Sequence, residues 1–281
     1  SRSRGSFRPT RPSAGPRHCA SAGGEVTVIT REEKAARFRA LHERGTFVIP
    51  NPWDAGTAKV CEQLGFLALA TTSGGLAMSL GRPDAANAVS RDEALANARQ
   101  IVEATTLPVS ADLENGYGES PDACAATIEA AAAAGLCGGS IEDATGRPDR
   151  PIFPVDAAVA RMRAAVRAAR GLRGDFVLVA RAEGRLHRAE SLDDVIRRLV
   201  AYAEAGADCL YAPGLSTREE ISAVVRAVAP KAVNVLIAAD VGLPVADLAA
   251  LGVRRVSVGS ALARVAFTAF RQAAEDIATH G

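Results

Sequence analysis

Residues 109–118 read VSADLENGYG, and they place two carboxylates, Asp112 and Glu114, two positions apart just before a glycine-flanked turn. In a β-strand, side chains at i and i+2 face the same way, so the two acids are expected side by side. Like charges that close repel, and a bound cation or a shared proton removes the conflict. A third acid, Glu142, lies near the end of the strand-like run GGSIED, and Arg181 lies near the end of FVLVARAE. Three carboxylates with no His or Cys beside them form an oxygen-only donor set, which suits Mg²⁺ or Mn²⁺ and argues against zinc. The competing assignment makes Asp112 or Glu142 a helix cap or a partner of Arg181 in a structural ion network.

The segment TTSGGLA sets Ser73, Gly74 and Gly75 at the end of another strand-like run, where successive backbone N–H groups can hold a carboxylate or phosphate. Arg181 offers a planar fork for a second carboxylate. Other mechanisms fit poorly. A Schiff base needs a lysine on a strand, and Lys34, Lys59 and Lys231 fall in helices or loops. None of His18, His42, His187 and His280 stands at a strand end with a Ser or Cys partner, which argues against a nucleophilic triad. His187 follows the fifth strand and is expected in a solvated loop.

These residues need a frame that brings strand ends together. Eight β-rich runs are expected at 47–51, 66–72, 109–114, 138–143, 176–183, 209–213, 233–239 and 255–259, alternating with Ala-rich helical segments. Ser90 with Glu93, and Ser191 with Asp194, have the spacing of helix N-caps, while Gly135 and Gly206 suit helix C-caps. Eight strand–helix units over roughly 250 residues predict a single-domain α/β fold, a (β/α)8 TIM-type barrel whose chemistry sits at the C-terminal ends of the strands. A doubly wound sheet is the rival, but neither GxGxxG nor GxxxxGK[ST] occurs. The seventh strand leads to Asp240.

Composition narrows the partners. The 281 residues carry a net charge of +1, but residues 1–24 hold five Arg and no acid, and subtracting these leaves the remainder at −4. That remainder has no basic surface of the kind that tracks nucleic acid. Residues 1–25 are expected to form a disordered Arg/Pro/Ser/Gly-rich tail and residues 26–281 the catalytic barrel. No apolar run is long enough to span a membrane. Five scattered cysteines without a CxxC pair fit buried thiols in a reducing cytoplasm.

The ordered set NPWDAGTAKVCEQLGFLALATTSGGLAMSLGRPD, ADLENGYG, SIEDATG and ARAEG resembles the isocitrate lyase/phosphoenolpyruvate mutase superfamily, from about residue 46 to residue 264. The resemblance implies a Mg²⁺-dependent enzyme on a (β/α)8 barrel. It assigns substrate carboxylate binding to Ser73, Gly74 and Gly75, metal binding to Asp112, Glu114 and Glu142, support at the metal site to Asp84, and a substrate arginine to Arg181. It implies bond cleavage next to a 2-oxo acid through a metal-bound enolate, and homo-oligomers with exchanged C-terminal helices.

Two departures stand out. Glu114 replaces the usual Asp, and the loop after the fourth strand reads DATGRPDRPIFP instead of a KKCGH-type loop with a catalytic cysteine. Isocitrate and methylisocitrate cleavage are therefore disfavoured. The expected function is a Mg²⁺-dependent lyase acting on a small oxaloacetate-like 2-oxo dicarboxylate, with phosphonopyruvate/phosphoenolpyruvate mutase chemistry and a non-catalytic small-acid-binding barrel as alternatives. The 2-oxo acid is the expected partner, with no membrane or nucleic acid. No proton donor is assigned, although Tyr117 stands near the acids.

Overall fold

The computed structural model describes residues 29–84, 88–239 and 242–281. The tail expected at residues 1–25, with His18 and Cys19, lies outside the described residues, as does Asp240. The chain begins with α1 (Arg31–Glu43), β1 (Phe47–Ile49), α2 (Ala55–Gln63), β2 (Leu69–Ala70), α3 (Ser73–Ser79), α4 (Arg91–Ala104), β3 (Val109–Asp112), α5 (Pro121–Ala133) and β4 (Gly138–Glu142). It continues with α6 (Val155–Gly171), β5 (Val177–Arg181), α7 (Leu192–Glu204), β6 (Cys209–Tyr211), α8 (Arg218–Val228), β7 (Ala232–Leu236), α9 (Val245–Ala250), β8 (Arg255–Ser257) and α10 (Ala261–His280).

All strand pairs are parallel and run in the order β1-β8-β7-β6-β5-β4-β3-β2. The remaining gap is bridged by the Ala70 N–H donating to Pro50 O at 3.0 Å and by Asn51 Nδ2 donating to Thr71 O at 3.0 Å. The fold is a (β/α)8 barrel. All eight expected strands are present, each of them shorter at its C-terminal end. Capping boxes form at Ser90 with Glu93 and at Ser191 with Asp194, and Gly135 and Gly206 take φ of 91° and 105° beyond α5 and α7.

Strand alternation divides the core. Leu178 and Ala180 of β5 pack outward with Ile141, Leu210 and Val235 beneath the helices, whereas Val177 faces the barrel interior with Phe47, Ile49, Ala68 and Ala70. Phe38 of α1 plugs the N-terminal end of the barrel with no exposed surface. Burying one such aromatic side chain contributes roughly 1.5–3 kcal/mol. With that end filled, ligands can enter only at the opposite mouth, where β3, β4 and β5 end in Asp112, Glu142 and Arg181.

One expectation is corrected here. β3 stops at Asp112, and Glu114 sits in the left-handed region with φ 46°, so the two acids do not project side by side from one strand. The chain turns because Gly116 and Tyr117 also take positive φ, 80° and 55°, and Arg161 clamps the turn from below. The Arg161 guanidinium donates to Asn115 O and, at 2.6 Å, to Gly118 O, and it lies 4.2 Å from the centre of the Phe153 ring. A non-glycine residue at positive φ costs on the order of 1–3 kcal/mol, strain that such a clamp sustains.

Candidate active site

Arg181 is the hub of the barrel mouth. Its Nη1 lies 2.9 Å from Asp112 Oδ1, its Nη2 3.1 Å from Glu142 Oε2 and its Nε 2.9 Å from Glu183 Oε1. The guanidinium stands 5.1 Å from the centre of the Tyr211 ring. Strand register produces this meeting: Glu142 pairs with Arg181 and Arg181 with Tyr211, so all three project inward at one level. Asp112 is held by its own N–H donating to Thr71 Oγ1 at 3.0 Å, and its Oδ2 accepts from Ser73 Oγ at 2.9 Å.

The expected carboxylate cradle takes a different form. Ser73, Gly74 and Gly75 form the first turn of α3, and the Gly75 N–H already donates to Thr72 Oγ1 at 3.2 Å. The Ser73 N–H points to Asp112 Oδ2 at 3.3 Å. Gly75 is required by packing, since a Cβ there would lie 2.6 Å from Thr72 Cγ2 and 3.0 Å from Trp53 Cβ. Gly74 faces the site, where a Cβ would lie 2.6 Å from Asp84 Oδ2.

Ser73, Asp84, Glu114, Glu142, Arg181 and Glu183 line one cavity of about 420 Å³. Asp112 lines an adjoining cavity that shares Ser73, Asp84 and Arg181 with the first. Residues 144–151 wall the larger cavity, tied back by the Thr145 N–H to Pro151 O at 2.8 Å and by Thr145 Oγ1 to Arg150 O at 2.5 Å. His187 is exposed, as expected, yet it also stands on the cavity wall. None of the cavity-lining residues is a cysteine or lysine, and the four described cysteines are free and buried.

Charge at the mouth is unevenly placed. Five carboxylates, those of Asp84, Asp112, Glu114, Glu142 and Glu183, line the two cavities. Three of them, Asp112, Glu142 and Glu183, converge on Arg181, while Arg147, Arg255 and Arg264 line the same cavities without an ion pair to any of the five. Burial pushes Glu142 well above the usual carboxylate range, with Glu183, Asp112 and Glu114 adding repulsion that Arg181 offsets in part. Glu183 is raised by burial in the same way. Asp84 is still reached by solvent, but the surrounding protein and then the charge of Asp112 raise it. Burial acts to lower the Arg181 pKa, and Glu183, Glu142 and Asp112 more than reverse this, holding the guanidinium firmly charged. Burial and then Glu114 and Asp112 raise Tyr117, whose phenol stays protonated.

The donor set fits a hard divalent cation: every donor is an oxygen, and the crowding of carboxylates raises Glu142 and Asp84, a repulsion that a bound cation would relieve. Among the described residues, no group of three or more His, Cys, Asp or Glu side chains is drawn together around a single metal position. Instead the Arg181 guanidinium occupies the place between Asp112 and Glu142. The ion network weighed against a metal site in the sequence is thus present in the same residues.

Two groups escaped the sequence reading. Glu183 stood at a strand end without an assigned part, yet it is 2% exposed and is bonded to Arg181. Its N–H donates to Asp143 Oδ1 at 2.8 Å, and Asp143 is fixed by the Tyr202 hydroxyl at 2.6 Å. Asn51 ties three strand ends together, its Oδ1 accepting from the Val258 and Gly259 N–H groups at 3.0 and 2.9 Å. The alternation of inward and outward positions in SIED could have separated Glu142 from Asp143.

A family model described as phosphoenolpyruvate phosphomutase matches residues 38–278. A crystal structure from Burkholderia cenocepacia J2315, described only as a lyase/mutase, is 55% identical with TM-score 0.86, covering 89% of this chain and 90% of that one. The 2-methylisocitrate lyase of Escherichia coli K12 is 35% identical over 182 residues, 62% of this chain and 60% of the enzyme. Oxaloacetate acetylhydrolase, solved with the product oxalate, is 28% identical with TM-score 0.81, covering 90% and 89% of the two chains. Similar proteins also include oxaloacetate decarboxylases, 2,3-dimethylmalate lyase and phosphonopyruvate hydrolase, the last solved with oxalate and Mg²⁺. The chain therefore belongs to the phosphoenolpyruvate phosphomutase family, within the isocitrate lyase/phosphoenolpyruvate mutase superfamily.

Proposed function

We propose that the protein is a Mg²⁺-dependent lyase acting on a small 2-oxo dicarboxylate of the oxaloacetate kind, by decarboxylation or carbon–carbon cleavage. The observation that carries this reading is the convergence of Asp112, Glu142 and Glu183 on the single guanidinium of Arg181, with Asp84 and Glu114 lining the same open mouth of the barrel. Asp112, Glu114 and Glu142 would hold the ion, with Asp84 in support. When bound, Mg²⁺ supplies Lewis-acid polarisation of a 2-oxo group.

The protein's own residues do the rest. Ser73 Oγ and the open edge of Gly74 receive the carboxylate next to the 2-oxo group, and Arg181 steadies the substrate through charge-assisted hydrogen bonds. In decarboxylation the C3–C4 bond breaks, CO₂ departs, and the electron pair left at C3 takes a proton. The protonated Tyr117 phenol beside Glu114 is a candidate donor. Residues 144–151 exclude bulk water and so strengthen each electrostatic contact inside. The chain also departs from the cysteine-dependent lyases, because no thiol lines the cavity.

Melting curves with Mg²⁺, with oxalate and with both test the site: the two together are expected to stabilise more than the sum of each alone. No shift with either would refute the reading. Pyruvate release from a panel of 2-oxo and 2-hydroxy acids then identifies the reaction. Phosphorus–carbon chemistry is the second reading, favoured by the description of the matching family model. Phosphorus NMR of phosphonopyruvate incubated with the protein decides it: absence of a phosphoenolpyruvate signal removes the mutase, and absence of an inorganic phosphate signal as well removes phosphorus–carbon chemistry altogether.

The proposal extends to a homo-oligomer. α10 leaves the barrel and exposes Val265, Phe267, Phe270 and Ile277, with Val265, Phe270 and Ile277 each about 70% exposed. Large apolar side chains in that density suit burial against a second copy. Among the described residues, no helix is long and apolar enough to cross a membrane.

A further inference from the structure

The barrel interior below the site departs from ordinary packing. Barrel interiors are normally filled by branched apolar side chains. Here Ser110, Ser140, Asn234 and Arg255 are buried on the inward positions of their strands, with Ser110 and Arg255 one inward step below Asp112 and Ser257, and Arg255 paired with Asn234 in the register of β7 and β8. Arg255 is 6% exposed and Asn234 1%. Nε and Nη1 of Arg255 and Oδ1 of Asn234 have no hydrogen-bond partner among the described residues. Among the described residues the Arg255 guanidinium lies 6.0 Å from the centre of the Phe38 ring, and no carboxylate lies within ion-pair distance of it.

An unpaired guanidinium in a protein core is strongly unfavourable unless an acceptor reaches it. Arg255 and Asn234 both line a cavity of about 210 Å³ that also reaches Ser73, Gly74, Asp112 and Arg181. One continuous space therefore connects the site described above to the buried cation.

We propose that Arg255, with Asn234, forms an inner subsite that takes the distal carboxylate of a bound diacid while the proximal carboxylate stays at Ser73 and Gly74. This inference rests on the 2-oxo dicarboxylate reading and states which residues distinguish a diacid from a monoacid. Arg255 supplies the charge. Asn234 Nδ2 now donates to Ser257 Oγ at 3.0 Å. Turned over, the amide accepts from the same hydroxyl through Oδ1 and presents Nδ2 to the carboxylate. A monoacid leaves the guanidinium unpaired, and a diacid completes it.

The test compares oxalate, too short to reach the floor, with 3,3-difluorooxaloacetate, each titrated calorimetrically with Mg²⁺ into wild type, Arg255→Met and Asn234→Asp. Arg255→Met removes the charge. Asn234→Asp is nearly isosteric and sets a competing carboxylate beside Arg255, so it tests the subsite even if Arg255→Met folds poorly. Oxalate affinity is expected to stay within about twofold of wild type, while 3,3-difluorooxaloacetate affinity falls about thirtyfold or more, the scale for removing one partner of a buried charge pair. Arg255→Lys should restore part of the loss.

An equal fall for both ligands would assign Arg255 a purely structural part and overturn the proposal. An unchanged 3,3-difluorooxaloacetate affinity in the variants would overturn it too, leaving water as the partner of Arg255. If wild type binds neither ligand, the catalytic reading fails and the subsite fails with it, a result distinct from the other two.

Discussion

Replacing Arg181 with Met removes the one cation that touches three carboxylates, at 2.9 Å from Asp112, 3.1 Å from Glu142 and 2.9 Å from Glu183. The three do not suffer equally. The side chains of Asp112 and Glu142 retain 19% and 16% exposure and can draw on cavity water, whereas Glu183 retains 2%. Most of the loss therefore falls on Glu183. Removing one partner of a buried pair destabilises by about 3–5 kcal/mol. For a chain of this size each kcal/mol lowers Tm by roughly 2–4 °C, so Arg181→Met is expected to melt about 6–20 °C below wild type, toward the lower end.

The companion variant Arg181→Met/Glu183→Gln removes the stranded charge along with its partner. It should recover about half of the loss or more, because exchanging both members of a buried pair is often nearly neutral. The Glu183 N–H to Asp143 hydrogen bond is a backbone contact and survives in both variants. Calorimetric melts at pH 7.5 in EDTA, supported by urea unfolding, provide the measurement. Arg181→Met melting within about 2 °C of wild type would refute the reasoning, since one kcal/mol alone should move Tm that far. So would a double variant no more stable than the single one, because the penalty would then not lie in the buried charge of Glu183.

Three further outcomes are expected. Gly74→Ala drives a Cβ to 2.6 Å from Asp84 Oδ2 and 3.1 Å from Ser260 Cβ, so it should cost about 1–3 kcal/mol in urea unfolding and weaken the joint stabilisation by Mg²⁺ and oxalate. His42 is held at a pKa of about 3, lowered from 6.5 by burial and then by Arg255, while its ring packs edge-on to Phe38 and Phe47. Above pH 6.5 it is neutral folded and unfolded; below that pH only the unfolded chain gains the proton, so stability is lost as pH falls from 6.5 to about 3. His42→Phe should flatten that acid limb by about 2 kcal/mol in pH-dependent unfolding, after discounting a full shift for partial exposure. Phe270→Glu on α10 should reduce the mass seen by light scattering without lowering the barrel's Tm, and an unchanged mass would exclude α10 from the interface.

The local sequence determined much of this protein because its signals are local. Short β-rich runs set between helix-period segments mark strands whatever lies beyond them, so all eight were legible. Ser90 with Glu93 and Ser191 with Asp194 capped their helices through contacts three residues apart. The order of the strands, with chemistry at their C-terminal ends, was enough to place Ser73, Asp112, Glu142 and Arg181 at one mouth.

Only the tertiary structure decided how those residues engage. That Arg181 lies between Asp112 and Glu142 depends on hydrogen-bond register across β3, β4 and β5, which no single segment encodes. The Glu114 backbone leaves the strand because a distant Arg161 on α6 clamps the turn, and propensity at ADLENG cannot report that contact. Arg255 read as one more arginine in VRRVSVG. Its burial beside Asn234, with no counter-charge in contact among the described residues, follows from closing the barrel and bringing β7 and β8 back to β1. Periodicity is a property of neighbours in the chain, whereas the electrostatics of a site belong to neighbours in space.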